Sequence, residues 1–302
     1  MGLKYKKMNK KAMFFTILAI ALLSLFAISY TFYSVIEDRQ SINKRIETMN
    51  SFVFSLEQDM SRQIYISSYR AILSIEEHIT SQGKFLDSAR DSIEEVLING
   101  TIENQPVNLM EGYKLEDWNS RVSELGNKQN ILINYSLKNL TIKQEDPWNI
   151  KVEMTIDIFI KDKGNLAFWN KTQIISSEIE IIGFEDPLYL INTNGKIANK
   201  INKTIYENFT IPNLILHNQN MYYKASSTAP SFLDRLEGKT SANENGIESL
   251  VYLPKLSEQG VAIKDKSCVD YIYFSSNNPE SQNVAGMPSW FKLDTEHLSV
   301  YT

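Results

Sequence analysis

The segment from Lys11 to Gln82 constrains this chain more than any other. No charged residue falls between Lys11 and Glu37, and Met13 to Val35 is an almost unbroken apolar run. About 23 residues at 1.5 Å rise give roughly 35 Å of helix, enough to cross a hydrocarbon core of about 30 Å with some tilt. Neither Gly nor Pro occurs between Lys11 and Gly83, so the pattern predicts one long helix, apolar first and amphipathic afterwards. Thr16, Ser24, Ser29, Thr31 and Ser34 are polar, but each can return a hydrogen bond to the preceding turn. Tyr30, Phe32 and Tyr33 stand at the far end, where interfacial aromatics belong. Lys4, Lys6, Lys7, Lys10 and Lys11 precede the run with no acid among them. Positive charge stays inside, so the expected topology has a cytoplasmic N-terminus and everything after about residue 36 outside. The expected partner of this segment is a lipid bilayer, and the expected location a cell membrane crossed once. Two other fates compete with a retained anchor: cleavage as a secretory signal at Ala27-Ile28-Ser29, and removal of a short basic leader. The myristoylation pattern fails, because position six is Lys6.

Beyond the apolar run, Ile42, Ile46, Met49, Val53, Leu56 and Met60 step alternately by four and three, the spacing of a coiled-coil seam. Ile64 follows four residues on, a stutter, and Ile72, Ile75 and Ile79 resume the stripe. Two readings stay open: self-association through this seam, or packing of the stripe on the chain's own globular part. The expected organisation is a basic leader (1–12), a transmembrane helix (13–35), a membrane-proximal amphipathic helix (36–82) and an extracytoplasmic head (83–302).

The formal charge is −5 over 302 residues. Five lysines lie in the first twelve residues, so the remainder carries 26 basic and 36 acidic groups, a net −10. That balance argues against nucleic acid or an anionic lipid surface as the head's partner. A single cysteine, Cys268, excludes an internal disulfide, so an apolar core must hold the head together. Its setting, Lys266 to Phe274, reads as a strand with Cys268 as a small buried hydrophobe.

After Gly83, Phe85 to Ile98 reads as a second helix ended by Asn99-Gly100, and Leu115, Trp118, Val122 and Leu125 as a third capped by Gly126. The period then changes to two. Ile131 to Leu137, Trp148 to Ile160 and Phe168 to Ile182 predict three long strands in an antiparallel meander, its dry face covered by the long helix. Leu188–Ile191 and Lys196–Ala198 read as a hairpin around Asn194-Gly195. Pro230 to Gly238 reads as a short capped helix, residues 199–228 as weakly patterned, and Trp290-Phe291 as a core or closing element. The fold class is therefore α+β: a long N-terminal helix packed on an antiparallel head.

Chemical motifs are sparse. His78, His217 and His297 have no metal-ligand spacing, and no phosphate loop, dinucleotide fingerprint or nucleophile elbow occurs. Ser81-Gln82-Gly83-Lys84 matches a short catalytic pattern by letter, and a helix-ending turn explains it. Glu185-Asp186 before Pro187 is the sharpest acidic pair, expected mainly as a solvated turn. No cofactor and no metal site is expected, and no enzyme activity. Six Asn-x-Ser/Thr sequons, at Asn99, Asn134, Asn139, Asn170, Asn202 and Asn208, all fall on the predicted outer side as candidate glycosylation sites.

A basic leader ending Asn9-Lys10-Lys11-Ala12, then an apolar helix running into an amphipathic one, then an antiparallel sheet, resembles type IV pilin-like proteins, the archaeal ones in particular. The resemblance implies leader cleavage between Ala12 and Met13 and packing of the apolar helices into an assembly. It departs from the family where pilins commonly place a Glu, five residues after the cut; here that residue is Ile17. Gly183 to Gly195 and Val269 to Phe274 are also similar to uncharacterised archaeal membrane-anchored proteins. The expected function is a membrane-anchored surface protein acting by protein–protein contact. The alternatives are a ligand-binding ectodomain and, last, an envelope hydrolase using Glu185 and Asp186.

Overall fold

The computed structural model describes residues 10–301; the leader residues 1–9, with Lys4, Lys6 and Lys7, lie outside the described residues. One helix, α1 (Lys10–Gln82), runs for 73 residues. Every described α1 side chain up to Lys44 is exposed, and Leu23, Phe26 and Tyr30 are each more than two-thirds exposed. Its second half is buried along one stripe: Met49, Val53, Leu56, Met60, Ile64, Ala71, Ile72, Ile75 and Ile79. Between Ile64 and Ala71 the stripe is filled by Ser67 and Ser68. Their small side chains admit the loop around Tyr113, whose carbonyl accepts from Ser67 Oγ at 2.6 Å.

A tight turn at Gly83 leads to α2 (Ala89–Asn99), capped by Ser88 Oγ at its start and by left-handed Gly100 at its end. The small ladder of β1 (Thr101–Ile102) and β2 (Gln105–Pro106) follows, then α3 (Leu115–Lys128). Gly126 does not cap α3, which continues two residues further. A side chain there would meet Ile133 Cδ1 at 2.6 Å, so the glycine lets α3 lie against the sheet.

That sheet is the predicted meander, in the order β3 (Ile131–Asp146), β4 (Asn149–Asp162), β5 (Phe168–Glu180). Along β4 every second residue is buried, from Ile150 through Val152, Met154, Ile156 and Ile158 to Ile160. The register slips between Leu137 and Asn139, a bulge that moves the inward set of β3 from odd to even positions. The covered face meets the second half of α1, as the wet-outside, dry-inside alternation requires.

The rest of the head is built from short pieces: α4 (Pro187–Asn192), α5 (Ile211–Gln219), β6 (Tyr223–Ala225), α6 (Phe232–Leu236), β7 (Ile247–Ser249), α7 (Leu253–Glu258), α8 (Asp270–Phe274), β8 (Ser281–Asn283), β9 (Lys292–Asp294) and α9 (Thr295–Tyr301). Their buried side chains belong to the same apolar core as α1 and the meander. Three sequence expectations change here. The supposed hairpin at 188–198 is α4, because Asp186 caps the helix and Pro187 occupies its first turn. The supposed strand at 266–274 is a short extended piece ending in α8, whose five residues are all buried and so carry no period to read. Within the weakly patterned stretch 199–228 sits α5, with Pro212 in its first turn.

Candidate functional site

Two regions stand out: the unpacked half of α1 and a buried ionic network in the C-terminal part of the head. In the first, mean hydropathy reaches 2.3 over an 18-residue window, none of it buried. This is one helix long and apolar enough to cross a membrane. Two of its polar side chains are returned to the backbone as expected, Ser24 Oγ to Ile20 O at 2.8 Å and Thr31 Oγ1 to Ala27 O at 2.9 Å. The candidate cut between Ala12 and Met13 falls within helical backbone, and Met13 is half-exposed.

Of the seam residues, Met49, Val53, Leu56 and Met60 are buried in the chain's own core. Ile42 is 40% exposed and Ile46 half-buried, so the accessible seam is confined to these two. All six sequon asparagines, Asn99, Asn134, Asn139, Asn170, Asn202 and Asn208, are exposed. Asn134 and Asn170 flank Phe159 in one cross-strand row on the outer sheet face, and Asn139 lies two rows along beside Thr155 and Ile174.

The ionic network joins elements far apart in sequence. Arg235, fully buried in α6, donates from Nη1 to Asp186 Oδ2 at 2.5 Å and to Asp270 Oδ2 at 3.0 Å, and from Nη2 to Ile247 O. Asp186 is therefore not part of a solvated turn. It caps α4 through Leu188 N at 2.9 Å and accepts from Tyr223 Oη at 2.7 Å. Glu185, its neighbour, is half-buried, and its N–H donates to Glu76 Oε1 on α1 at 2.7 Å. Ser249 donates from both N and Oγ to Asp270 Oδ2. The adjacent Glu248 belongs to a second cluster, where His297 is held between Asp294 (Nδ1 to Oδ1, 2.8 Å) and Glu248 (Nε2 to Oε2, 3.2 Å). Tyr301 Oη donates to Glu248 Oε1 at 2.9 Å and Ser267 Oγ to Asp294 Oδ2 at 2.8 Å.

In the His297 cluster burial opposes ionisation and the ion pairs outweigh it, whereas burial raises Asp270 despite Arg235. Hydrogen bonds and charge from the two carboxylates push His297 up to about 10, and His297 with Ser267 holds Asp294 down to about 2. Burial alone pushes Cys268 up to about 12, in keeping with a buried hydrophobe. An open cleft of about 590 Å³ lies beside the second cluster, lined in part by Thr228, Tyr271 and Asp294. Tyr271 Oη is 3.2 Å from His297 Nε2. An imidazole already protonated at neutral pH cannot take a proton from it, and burial raises the phenol further. The arrangement binds segments of α6, β7, α8 and α9 together. Among the described residues, no group of three or more His, Cys, Asp or Glu side chains is placed to hold a metal.

The network escaped sequence reasoning because its ion pairs Arg235–Asp186, Arg235–Asp270 and His297–Glu248 span 35 to 49 residues and follow no period. The available signal was local. Asp270 stands inside the apolar Val269–Phe274, and a charge within a short apolar run marks a buried, partnered group; Arg235, beside Asp234 in Phe232–Leu236, carries no such mark. No family model, curated protein or solved structure matches this chain.

Proposed function

We propose that this chain is a membrane-anchored surface protein whose head lies outside the cytoplasm and acts by protein–protein contact. The observation that carries the reading is the division of α1. One continuous helix is exposed and apolar from Met13 to Ile36, then enters the core of the head from Met49 onward. A greasy half-helix without protein cover is stable only in lipid or against other such helices. The lysine bias before it supports the outward head. Six exposed sequons support a glycosylated exterior.

A pilin-like assembly is the more specific version. A long helix on an antiparallel meander, with its apolar half protruding, supports it. In that version the contacts between copies run through the apolar half-helix and Ile42, since the later seam residues are already packed.

The test is protease treatment of sealed cells followed by N-terminal sequencing of the membrane-bound chain. The reading expects digestion of the head from outside and recovery in the membrane fraction. A head untouched by external protease, or a soluble intact chain, overturns it. A mature start at Met13 supports the pilin-like version, and a start at Met1 or Gly2 ends that version alone.

A further inference from the structure

Four large apolar side chains of the head are exposed at one end of it: Leu125 (53%), Leu132 (46%), Leu166 (46%) and Phe168 (69%). That end is the one nearest the apolar half of α1. Arg45 is the first α1 side chain to be covered by the head. It donates from Nε and Nη2 to Asp162 Oδ1 at 2.9 and 2.7 Å, and from Nη2 to Gln129 O and Asn130 O at 2.6 and 3.2 Å. Arg45 thus grips the turn between α3 and β3 and the end of β4. Lys163 N donates to Asn130 O at 3.0 Å and ties the β4–β5 turn to the same place. Leu125 lies in the last turns of α3, Leu132 begins β3, Leu166 is in the β4–β5 turn and Phe168 opens β5. Leu132, Lys161 and Phe168 form one cross-strand row on the outer sheet face.

The separation from the apolar run follows from helix geometry. Arg45 is ten residues beyond Val35, about 15 Å along the axis. Its side chain leans back toward the N-terminus by about 5 Å. The β4–β5 turn, residues 163–166, projects beyond Asp162 by one to two further residue pairs, about 5 Å. The tip therefore stands about 5 Å above the end of the hydrocarbon, and a headgroup layer is roughly 5–8 Å thick. A tilt of about 20° brings one side closer still. No Gly or Pro breaks α1 between the two points, so the spacing is rigid.

We propose that this rim rests in the headgroup layer of the bilayer crossed by α1, giving the head a second, interfacial contact with lipid. The inference rests on the anchored reading given above. A folded protein partner would have to fit a gap of only about 5 Å, less than the diameter of one helix. The charges suit a lipid surface. In 124–132 and 161–168 there are three lysines, Lys128, Lys161 and Lys163, and their long stems can lie along apolar surface with the ammonium in water. Of the two acids there, Asp162 is buried against Arg45 and Glu124 is paired with Lys128 at 2.7 Å. The contact is mainly apolar, so it needs no anionic lipid.

The experiment uses the full chain in phosphatidylcholine vesicles, with an environment-sensitive fluorophore on one introduced cysteine. Native Cys268 is fully buried and its thiol is pushed up to about 12, so it stays unlabelled. Leu166→Cys reports the rim, Lys143→Cys the far end of the same sheet, and Leu25→Cys the anchor. Quenchers are carried either on shallow or deep lipid positions, or dissolved in water. The expected result is several-fold stronger quenching of the Leu166 site by shallow lipid quenchers than of the Lys143 site, with the Leu25 site quenched by deep ones. If Leu25 is quenched from within lipid and Leu166 behaves like Lys143, the rim proposal fails and the anchor stands. If Leu166 is shielded from the aqueous quencher yet untouched by the lipid ones, protein covers the rim and the proposal fails. If Leu25 escapes the deep quenchers, the anchored reading fails and takes the rim with it.

Discussion

At the scale of single residues, the buried charges decide how stability responds to pH. His297 is held up to about 10 against an ordinary 6.5, so its ion pairs contribute fully below about pH 6.5 and are lost as pH rises through about 10. Glu76 is pushed up to about 8 by burial, so it stays neutral in the fold while the unfolded chain ionises above about 4.5. Its cost therefore grows between pH 4.5 and 8. His217 works in the opposite sense: held down to about 4 by burial, it costs stability as pH falls below 6.5. Asp294, held down to about 2, loses its contribution as pH falls through that value. Stability should be nearly level from pH 4.5 to 6.5 and fall on either side. Glu76→Gln keeps an acceptor for Glu185 N and removes the ionisation. It should be neutral at pH 4.5 and stabilising by about 2–4 kcal/mol at pH 8.5, after discounting for partial exposure. Denaturant unfolding of both proteins across that range checks it, and a pH-independent difference would refute the assignment. Arg235→Met leaves Asp186 and Asp270 buried side by side and should cost about 3–5 kcal/mol, read as a lowered unfolding midpoint.

At the scale of elements, what could be read in advance was whatever repeats. Residues 150–160 of β4 alternate apolar with polar except at Phe159, and the meander and its helical cover follow from that. The bulge at Leu137–Asn139 could not be seen, because Lys138 interrupts the alternation no more visibly than a surface residue would. Short elements failed for a different reason. Asp186-Pro187 reads equally as turn or helix start, and only the burial of Leu188, Tyr189 and Leu190 decides it. The ionic clusters were invisible because contacts between α4, α6, β7, α8 and α9 are set by packing, not by spacing. The half-buried seam gives an element-level prediction. In membranes, Ile42→Cys should be labelled by a thiol reagent and crosslink between copies if the chain self-associates, whereas Met60→Cys, at a position 1% exposed, should do neither. Labelling of Met60→Cys in the native protein would show that α1 leaves the head. Gly238 tests the docking of α6 on the chain before α2. With φ at +69° and a Cβ only 2.5 Å from Phe85 Cδ2, Gly238→Ala should cost about 1–3 kcal/mol by thermal or denaturant melting.

At the scale of the whole molecule, α1 divides two jobs at a definable point. Every α1 residue up to Lys44 with a described side chain is exposed, and its first fully buried side chain is Met49. The apolar half therefore contributes nothing to the core, and the amphipathic half contributes the wall against which β4 and β5 close. Arg45 marks the boundary through its pair with Asp162, whose carboxylate is held low by Arg45 and the turn amides of Leu166 and Gly164 despite burial. A chain starting at Asp38 should therefore fold, stay in solution and melt within a few degrees of the detergent-solubilised full chain. A chain starting at Ser61 loses Met49, Val53, Leu56 and Met60 from the core. At about 1.5–3 kcal/mol for each buried apolar side chain, that loss of about 6–12 kcal/mol is comparable to the whole stability of an ordinary domain, about 5–15 kcal/mol. It should yield an unfolded or aggregated product. Circular dichroism melts and gel filtration of the two truncations separate the outcomes. If the Asp38 version failed to fold while the full chain in detergent did, the exposed half of α1 would be supporting the head after all.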